Sequence, residues 1–220
     1  MRKRVYVDVD TQWDFCAPEG ALFVSGAVEA TRVCVSLIAH AVARGEALVG
    51  SVDSHAHDAW EFATNRNVGP RGEKPNFPPH CVKGTRGWLK MDGTLPARFV
   101  FVPMDAPTPR VPDDTQAVYF EKEVYSLFSN ANAARWIDQL GQENPLDFVV
   151  FGVATDYCVQ AAARDALAWI AAQSSAASQS TVTVVRDAIA AVDPAGGARA
   201  LAELEALGVR VCDSSEVLAR

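Results

Sequence analysis

Apolar residues along this chain alternate between two kinds of run. Short, nearly unbroken apolar stretches at Val5–Val9, Leu48–Val52, Phe99–Val102, Val118–Phe120, Asp147–Val153, Thr181–Val185 and Val209–Cys212 suit strands buried on both faces. Between them, Ala27–Ala43, Ala131–Leu140, Val159–Ala172 and Gly197–Ala206 place apolar residues at helical spacing. Strands alternating with helices predict an α/β fold of three layers, α/β/α, around a mainly parallel sheet. No internal repeat interrupts the series, and residues 1–220 are expected to form one domain. Ser174–Ser180 is expected to be a flexible loop and Pro103–Asp114 an insertion. The stretch from Asp58 to Lys90 has little periodicity, and a loop of that length suits closure over a site.

Composition narrows the class. With 220 residues, 49% of them hydrophobic, the chain can bury a sizeable core. A formal net charge of −7 argues against nucleic-acid or anionic-membrane partners. No apolar run reaches membrane-spanning length, the start of the chain enters a strand without a signal-peptide pattern, and the expected location is cytoplasmic. Five cysteines without regular spacing suit reduced thiols better than a disulfide framework.

Against that background four segments carry candidate chemistry. Cys158 follows the strand-like run ending Phe151-Gly152-Val153 and the polar turn Thr155-Asp156-Tyr157. The spacing puts it in a first helical turn, with Thr155 or Asp156 as N-cap, where unpaired N–H groups and the helix dipole favour a thiolate. Read alone, a free cysteine is more often a small apolar core residue. Asp10 follows the first strand, and the carboxyl edge of an open α/β sheet is where ligands bind. Asp8, inside the strand, and Asp14, placed to bond turn backbone, are the rival carboxylates.

Asp53 and His55 stand two residues apart at the end of the second strand and can point to one metal ion; His80 follows the stiff Phe77-Pro78-Pro79 segment. His57 and Cys81 are rival ligands. An oxygen and two imidazole donors with open positions suit zinc, iron or manganese. Lys122 ends the apolar run Ala117–Phe120; facing the same crevice, it would hold Asp10 ionised and lower the thiol pKa.

These segments occur in a specific order: Asp10-x-Gln12-x-Asp14-Phe15, Asp53-x-His55, Pro78-Pro79-His80-Cys81-x-x-Gly84-Thr85, Phe120-x-Lys122 with Ser126 and Phe128, and Gly152-Val153-Ala154-Thr155-Asp156-Tyr157-Cys158-Val159. In this the chain resembles the isochorismatase-like cysteine hydrolases, above all their nicotinamidase branch. The resemblance implies a catalytic triad of Asp10, Lys122 and Cys158. It also implies one divalent metal on Asp53, His55 and His80, with zinc foremost, and a cis peptide at Val153-Ala154 beside an oxyanion hole of the Ala154 and Cys158 amides. Its substrate class is a small aromatic amide, with Phe15, Trp13, Leu22, Phe77 and Tyr157 as candidates for the slot that holds a flat ring. A homo-oligomer is compatible with it. Phe77 stands where nicotinamidases often carry a larger indole, and Tyr157 occupies a position at which members vary; both bear on substrate fit.

Two other readings stay open at this level. A metal-free amidase of the same superfamily, acting on N-carbamoyl or ureido groups, would use Asp10, Lys122 and Cys158 without needing the metal set. A catalytically silent metal-binding or thiol-redox module would keep the fold alone. Isochorismatase proper, a vinyl-ether hydrolase, is disfavoured by Cys158.

Overall fold

The computed structural model describes residues 2–219 except 66, 67, 70, 71, 73 and 175. Seven strands, β1 (Lys3–Val9), β2 (Ala47–Asp53), β3 (Phe99–Val102), β4 (Ala117–Lys122), β5 (Leu146–Val153), β6 (Thr181–Ala190) and β7 (Arg210–Cys212), form one sheet in the order β3-β4-β2-β1-β5-β6-β7. Every pairing is parallel. The three-layer α/β/α architecture expected from the alternation is therefore present.

Helices cover both faces because each strand is apolar on both. Val5, Val7 and Val9 of β1 face one core with Phe120 and Val150, closed by α3 (Ala131–Gly141), α4 (Gln160–Ala171) and α5 (Pro194–Ala206) through Ile137, Ala163 and Leu204. Tyr6 faces the opposite core with Tyr119 and Phe151, closed by α2 (Ala27–Arg44) through Leu37 and Ile38 and by α6 (Ser214–Leu218) through Val217. This period of two is what an apolar run leaves undivided in sequence.

Several boundaries differ from expectation. β6 runs on past Val185 to Ala190 because Ile189 and Ala190 pair with Gly152 and Val153 after an irregularity in which five steps along β6 match two along β5, although the exposed Arg186 and Asp187 look like a strand end in sequence. The last long helix begins at Pro194, three residues before Gly197: Asp193 accepts from the N–H groups of Ala195 and Gly196, and proline suits the first turn. A one-turn α1 (Trp13–Cys16) and α6 are too short to show periodicity. Ala176–Gln179 forms a 3-10 turn with Ala177 buried, where a flexible loop was expected; Ser175 lies outside the described residues.

The chain leaves β1 for β2 on one side and reaches β5 on the other, so the crevice at the carboxyl ends of β2, β1 and β5 is the switch point of the sheet. Asp10, Asp53, Lys122 and Cys158 all belong to that edge.

Packing of α2 on this sheet is expected to dominate the local energetics. Leu37 is fully buried, and Leu37→Ala is expected to cost about 2–5 kcal/mol in chemical denaturation, whereas Leu207→Ala at a half-exposed helix end should stay within about 0.5 kcal/mol. Equal effects at the two positions would contradict the core assignment.

Candidate active site

Lys122 is the centre of the crevice. Its side chain is wholly buried, and its Nζ lies 2.8 Å from Asp10 Oδ2, 3.1 Å from Asp53 Oδ1 and 3.5 Å from Cys158 Sγ. Burial works against the ammonium, but Asp10, Asp53 and Cys158 outweigh it and hold its pKa well above the ordinary lysine value. Burial would likewise push the Asp53 carboxyl up; Lys122 and the neighbouring imidazoles hold it well below the carboxylate range instead. Both groups are charged at neutral pH.

Asp10 is positioned by backbone and side chain together. It has a left-handed φ of 46°, and its Oδ1 accepts a 2.7 Å hydrogen bond from Ser51 Oγ on the neighbouring strand. Gln12 completes the turn: its Nε2 donates to the Asp53 carbonyl and its Oε1 accepts from the Asp53 N–H, so the Asp10 turn also fixes the end of β2.

Cys158 is not in the first turn of an α-helix. Thr155–Val159 forms a π-helical turn that leads into α4, and Ala154 stands at its cap position without a side-chain bond. Neither Thr155 nor Asp156 acts as N-cap. The Asp156 carboxylate instead accepts from the N–H groups of Val192 and Asp193, tying this turn to the segment after β6. The Val153-Ala154 peptide is cis. The thiol also departs from expectation: burial pushes its pKa well above the usual value, Lys122 opposing and Asp10 and Asp53 adding to the rise. The resting group is a thiol, with Lys122 Nζ at 3.5 Å from its sulfur.

The Asp53 carboxylate is shared with a second cluster. Its Oδ2 lies 3.0 Å from His55 Nε2 and 3.3 Å from His80 Nε2, and both nitrogens also approach Glu61 Oε1, at 3.0 and 3.4 Å. One donor atom from each of Asp53, His55, Glu61 and His80 lies within 4.8 Å of the others, and all four residues are buried. This is a set able to bind a metal ion. His80 Nδ1 sits 2.9 Å from the Pro78 carbonyl; as donor there it leaves Nε2 with a lone pair toward the cluster. Two carboxylates and two imidazoles converging in a buried space fit a divalent cation.

Glu61 went unrecognised in the sequence because its loop has no period; the one local signal is the adjacent Phe62, whose buried ring meets both His55 and His80. The two rival ligands are absent from the cluster. His57 is exposed, and Cys81 packs in an apolar cluster with Phe15 and Cys16, its N–H donated to Asp14 Oδ2. Gly87 makes that bond possible, since a Cβ there would lie 1.9 Å from the same Asp14 oxygen.

Above Cys158 and the cluster opens a largely apolar cavity with an empty volume of about 580 Å³ including its mouth. Phe15, Leu22, Phe77 and Tyr157 line it, together with Val24, Val124, Tyr125, Val192 and Ala154. Tyr125 and Tyr157 meet edge to face at the mouth, 5.3 Å between centroids. Trp13 is a correction: its ring lies outside the cavity, under the Arg86 guanidinium at 3.5 Å.

Residues 5–216 match the isochorismatase domain model. The chain belongs to the isochorismatase family. Among curated relatives, a nicotinamidase of Escherichia coli is 30% identical over 76% of this chain and 78% of its own length, and one of Acinetobacter baylyi 29% identical over 96% and 92%. Among solved structures, a pyrazinamidase of Pyrococcus horikoshii in complex with zinc superposes with a TM-score of 0.69, at 25% identity, covering 96% of this chain and 99% of that one. The family is one of hydrolases, and among the described residues no helix is long and apolar enough to cross a membrane.

The charges around the thiol give opposite signs to two substitutions. Asp10→Asn removes an anion that raises the thiol pKa and should speed alkylation of Cys158 at neutral pH, whereas Lys122→Met removes the opposing cation and should slow it. Alkylation followed by mass spectrometry from pH 6 to 9 checks both; rates unchanged in both variants would show that the three groups are not coupled.

Proposed function

We propose that this chain is an amidase that hydrolyses nicotinamide to nicotinic acid and ammonia through a thioester on Cys158. The observation that carries the reading is the bridge at Asp53, one carboxylate shared by the lysine of a Cys-Asp-Lys group and by a metal-type cluster, beneath an apolar cavity. Asp10, Lys122 and Cys158 are assigned as the catalytic group.

Asp10 takes the thiol proton as Sγ attacks the carboxamide carbon, so the base need act only as the C–S bond forms. The amides of Ala154 and Cys158 are assigned to the oxyanion, a contribution of roughly 3 kcal/mol per donor. Collapse of the adduct breaks the C–N bond, and the proton held on Asp10 passes to the departing ammonia. Water then gives a proton to Asp10, attacks the thioester and releases the acid, and the thiol recovers its proton. Lys122 stays charged throughout and keeps its ammonium against the Asp10 carboxylate, at 2.8 Å.

A divalent cation on Asp53, His55, Glu61 and His80, for which zinc is our first choice ahead of iron or manganese, would supply a Lewis-acidic anchor for the ring nitrogen. Phe15, Leu22, Phe77 and Tyr157 are assigned to the faces and edges of the ring. Among the described residues, the ionisable side chains that line the cavity, Asp53, Glu61, His80, Glu123, Tyr125, Tyr157 and Cys158, include no arginine or lysine, which favours an uncharged amide over the carboxylate-bearing substrates of an N-carbamoyl amidase. In that metal-free alternative, the cluster of Asp53, His55, Glu61 and His80 would also lack a role.

Ammonia release from nicotinamide tests the reading. Cys158→Ala is expected to abolish turnover with fold and metal content retained, and Cys158→Ser to be almost as inactive, because Asp10 is too weak a base for a hydroxyl. Substantial hydrolysis by the alanine variant would rule out the covalent route.

Chelation or His55→Ala is expected to raise KM for nicotinamide at least tenfold. It should also remove discrimination against benzamide, which carries the same amide without a ring nitrogen. A metal-free preparation as active on nicotinamide as the zinc-loaded one would point to the metal-free amidases.

A further inference from the structure

Behind the proposed catalytic group lies a second buried ion pair that the reaction does not use. Asp8 and Lys90 have no exposed side-chain surface, and Lys90 Nζ lies 2.9 Å from Asp8 Oδ2. Both ends are further engaged by Thr11, whose hydroxyl donates to Asp8 Oδ1 at 2.9 Å and accepts from Lys90 Nζ at 2.8 Å. The ammonium also lies 4.5 Å from the centroid of the Tyr119 ring. That ring crosses the sheet where Gly50 lacks a side chain, since a Cβ there would come within 2.7 Å of it.

A buried pair of this kind gains little over two apolar residues of the same size, because desolvating both charges offsets their attraction. Its place in the chain points to another use. Asp8 is two residues before Asp10 and Thr11 is the residue after it, so the pair brackets the proposed base. Lys90 also brings its own segment alongside: Trp13 N–H donates to the Leu89 carbonyl and Met91 N–H to the Thr11 carbonyl, each at 2.8 Å. The residue so enclosed holds a left-handed φ of 46°, a conformation that costs a non-glycine residue on the order of 1 kcal/mol and that persists only where its surroundings impose it. Gln12, next in the same turn, grips the backbone of Asp53 from both sides.

We infer that Asp8, Lys90 and Thr11 form a positioning clamp that holds the Asp10 turn, and with it the Asp10 carboxylate, against Lys122 and Cys158. These three are positioning residues: in the described structure they touch the turn that carries Asp10 and do not line the substrate cavity. Because none lines the cavity, loosening the clamp should act on the chemical steps and leave ring binding alone. This inference rests on the proposed role of Asp10.

The test replaces the pair by apolar residues of similar size, Asp8→Leu with Lys90→Met, in the zinc-loaded full-length protein, beside the near-isosteric Thr11→Val. For the double variant we expect a melting temperature equal to or above that of the parent and a kcat for nicotinamide lowered 10- to 100-fold, with KM changed less than threefold. Thr11→Val should lower kcat at least threefold with the same split. Alkylation of Cys158 by iodoacetamide at pH 7.5 needs no substrate; it should quicken at least threefold in the double variant, as the Asp10 carboxylate loses its hold beside the thiol while Lys122 remains. Parental kcat and alkylation rate in a folded double variant would overturn the clamp, and so would parental values of both in Thr11→Val should the double variant not fold. If the parent protein itself releases no ammonia from nicotinamide, the substrate reading fails, and the alkylation rates alone decide the clamp.

Discussion

The ammonium of Lys122 is the constraint on which the site depends. It is shut away from water with Asp10 and Asp53 within hydrogen-bonding distance and the Cys158 sulfur at 3.5 Å. Two carboxylates facing one water-free space repel each other, and a cation between them offsets that repulsion. Lys122 therefore lets the two carboxylates stand side by side, with Asp53 presenting a charged oxygen to His55 and His80. Taking one partner from such a buried network costs on the order of 3–5 kcal/mol, so the grouping behaves as a unit.

Sheet topology makes this unit possible. Lys122 ends β4, Asp53 ends β2, Asp10 follows β1 and Cys158 follows β5, and those four strands are consecutive neighbours in the sheet. A parallel sheet delivers all its carboxyl ends to one edge, so residues separated by more than a hundred positions meet without any long loop reaching across. The irregular segment between β2 and β3 adds what the strands cannot: Glu61 and His80 for the cluster, Phe77 for the cavity wall and Lys90 for the turn beneath Asp10. The site is a rigid edge completed by a loop that is itself pinned at Asp14, at Gln12 and at Asp8.

A buried thiol flanked by both charges suits a nucleophile that is activated only when substrate is present. Burial and the two carboxylates keep the proton on Cys158, and Lys122 limits the rise. A free thiolate would be open to oxidation between turnovers, whereas in the proposed route proton loss is tied to the presence of an electrophile and to Asp10 as acceptor.

Residue order and period were enough to identify the strands, the long helices and the α/β/α class, and together with the family resemblance they singled out Asp10, Asp53, His55, His80, Lys122 and Cys158 as candidates, because each sits at the end of an apolar run or inside a spaced motif. Other features depend on contacts that no spacing reports. Glu61 joins the cluster from a loop without periodicity, and Trp13 turns away from the cavity to stack under Arg86, a residue 73 positions on. The extension of β6 to Ala190 follows from renewed pairing with β5 beyond a register shift, and the protonation of Cys158 follows from burial, which outweighs the helix-end field that its position suggests. Asp8 shows the division most clearly. In sequence it is one more carboxylate inside a strand, and only the fold brings Lys90 across to meet it, because a charge in an apolar strand is tolerated where a distant segment supplies the opposite one.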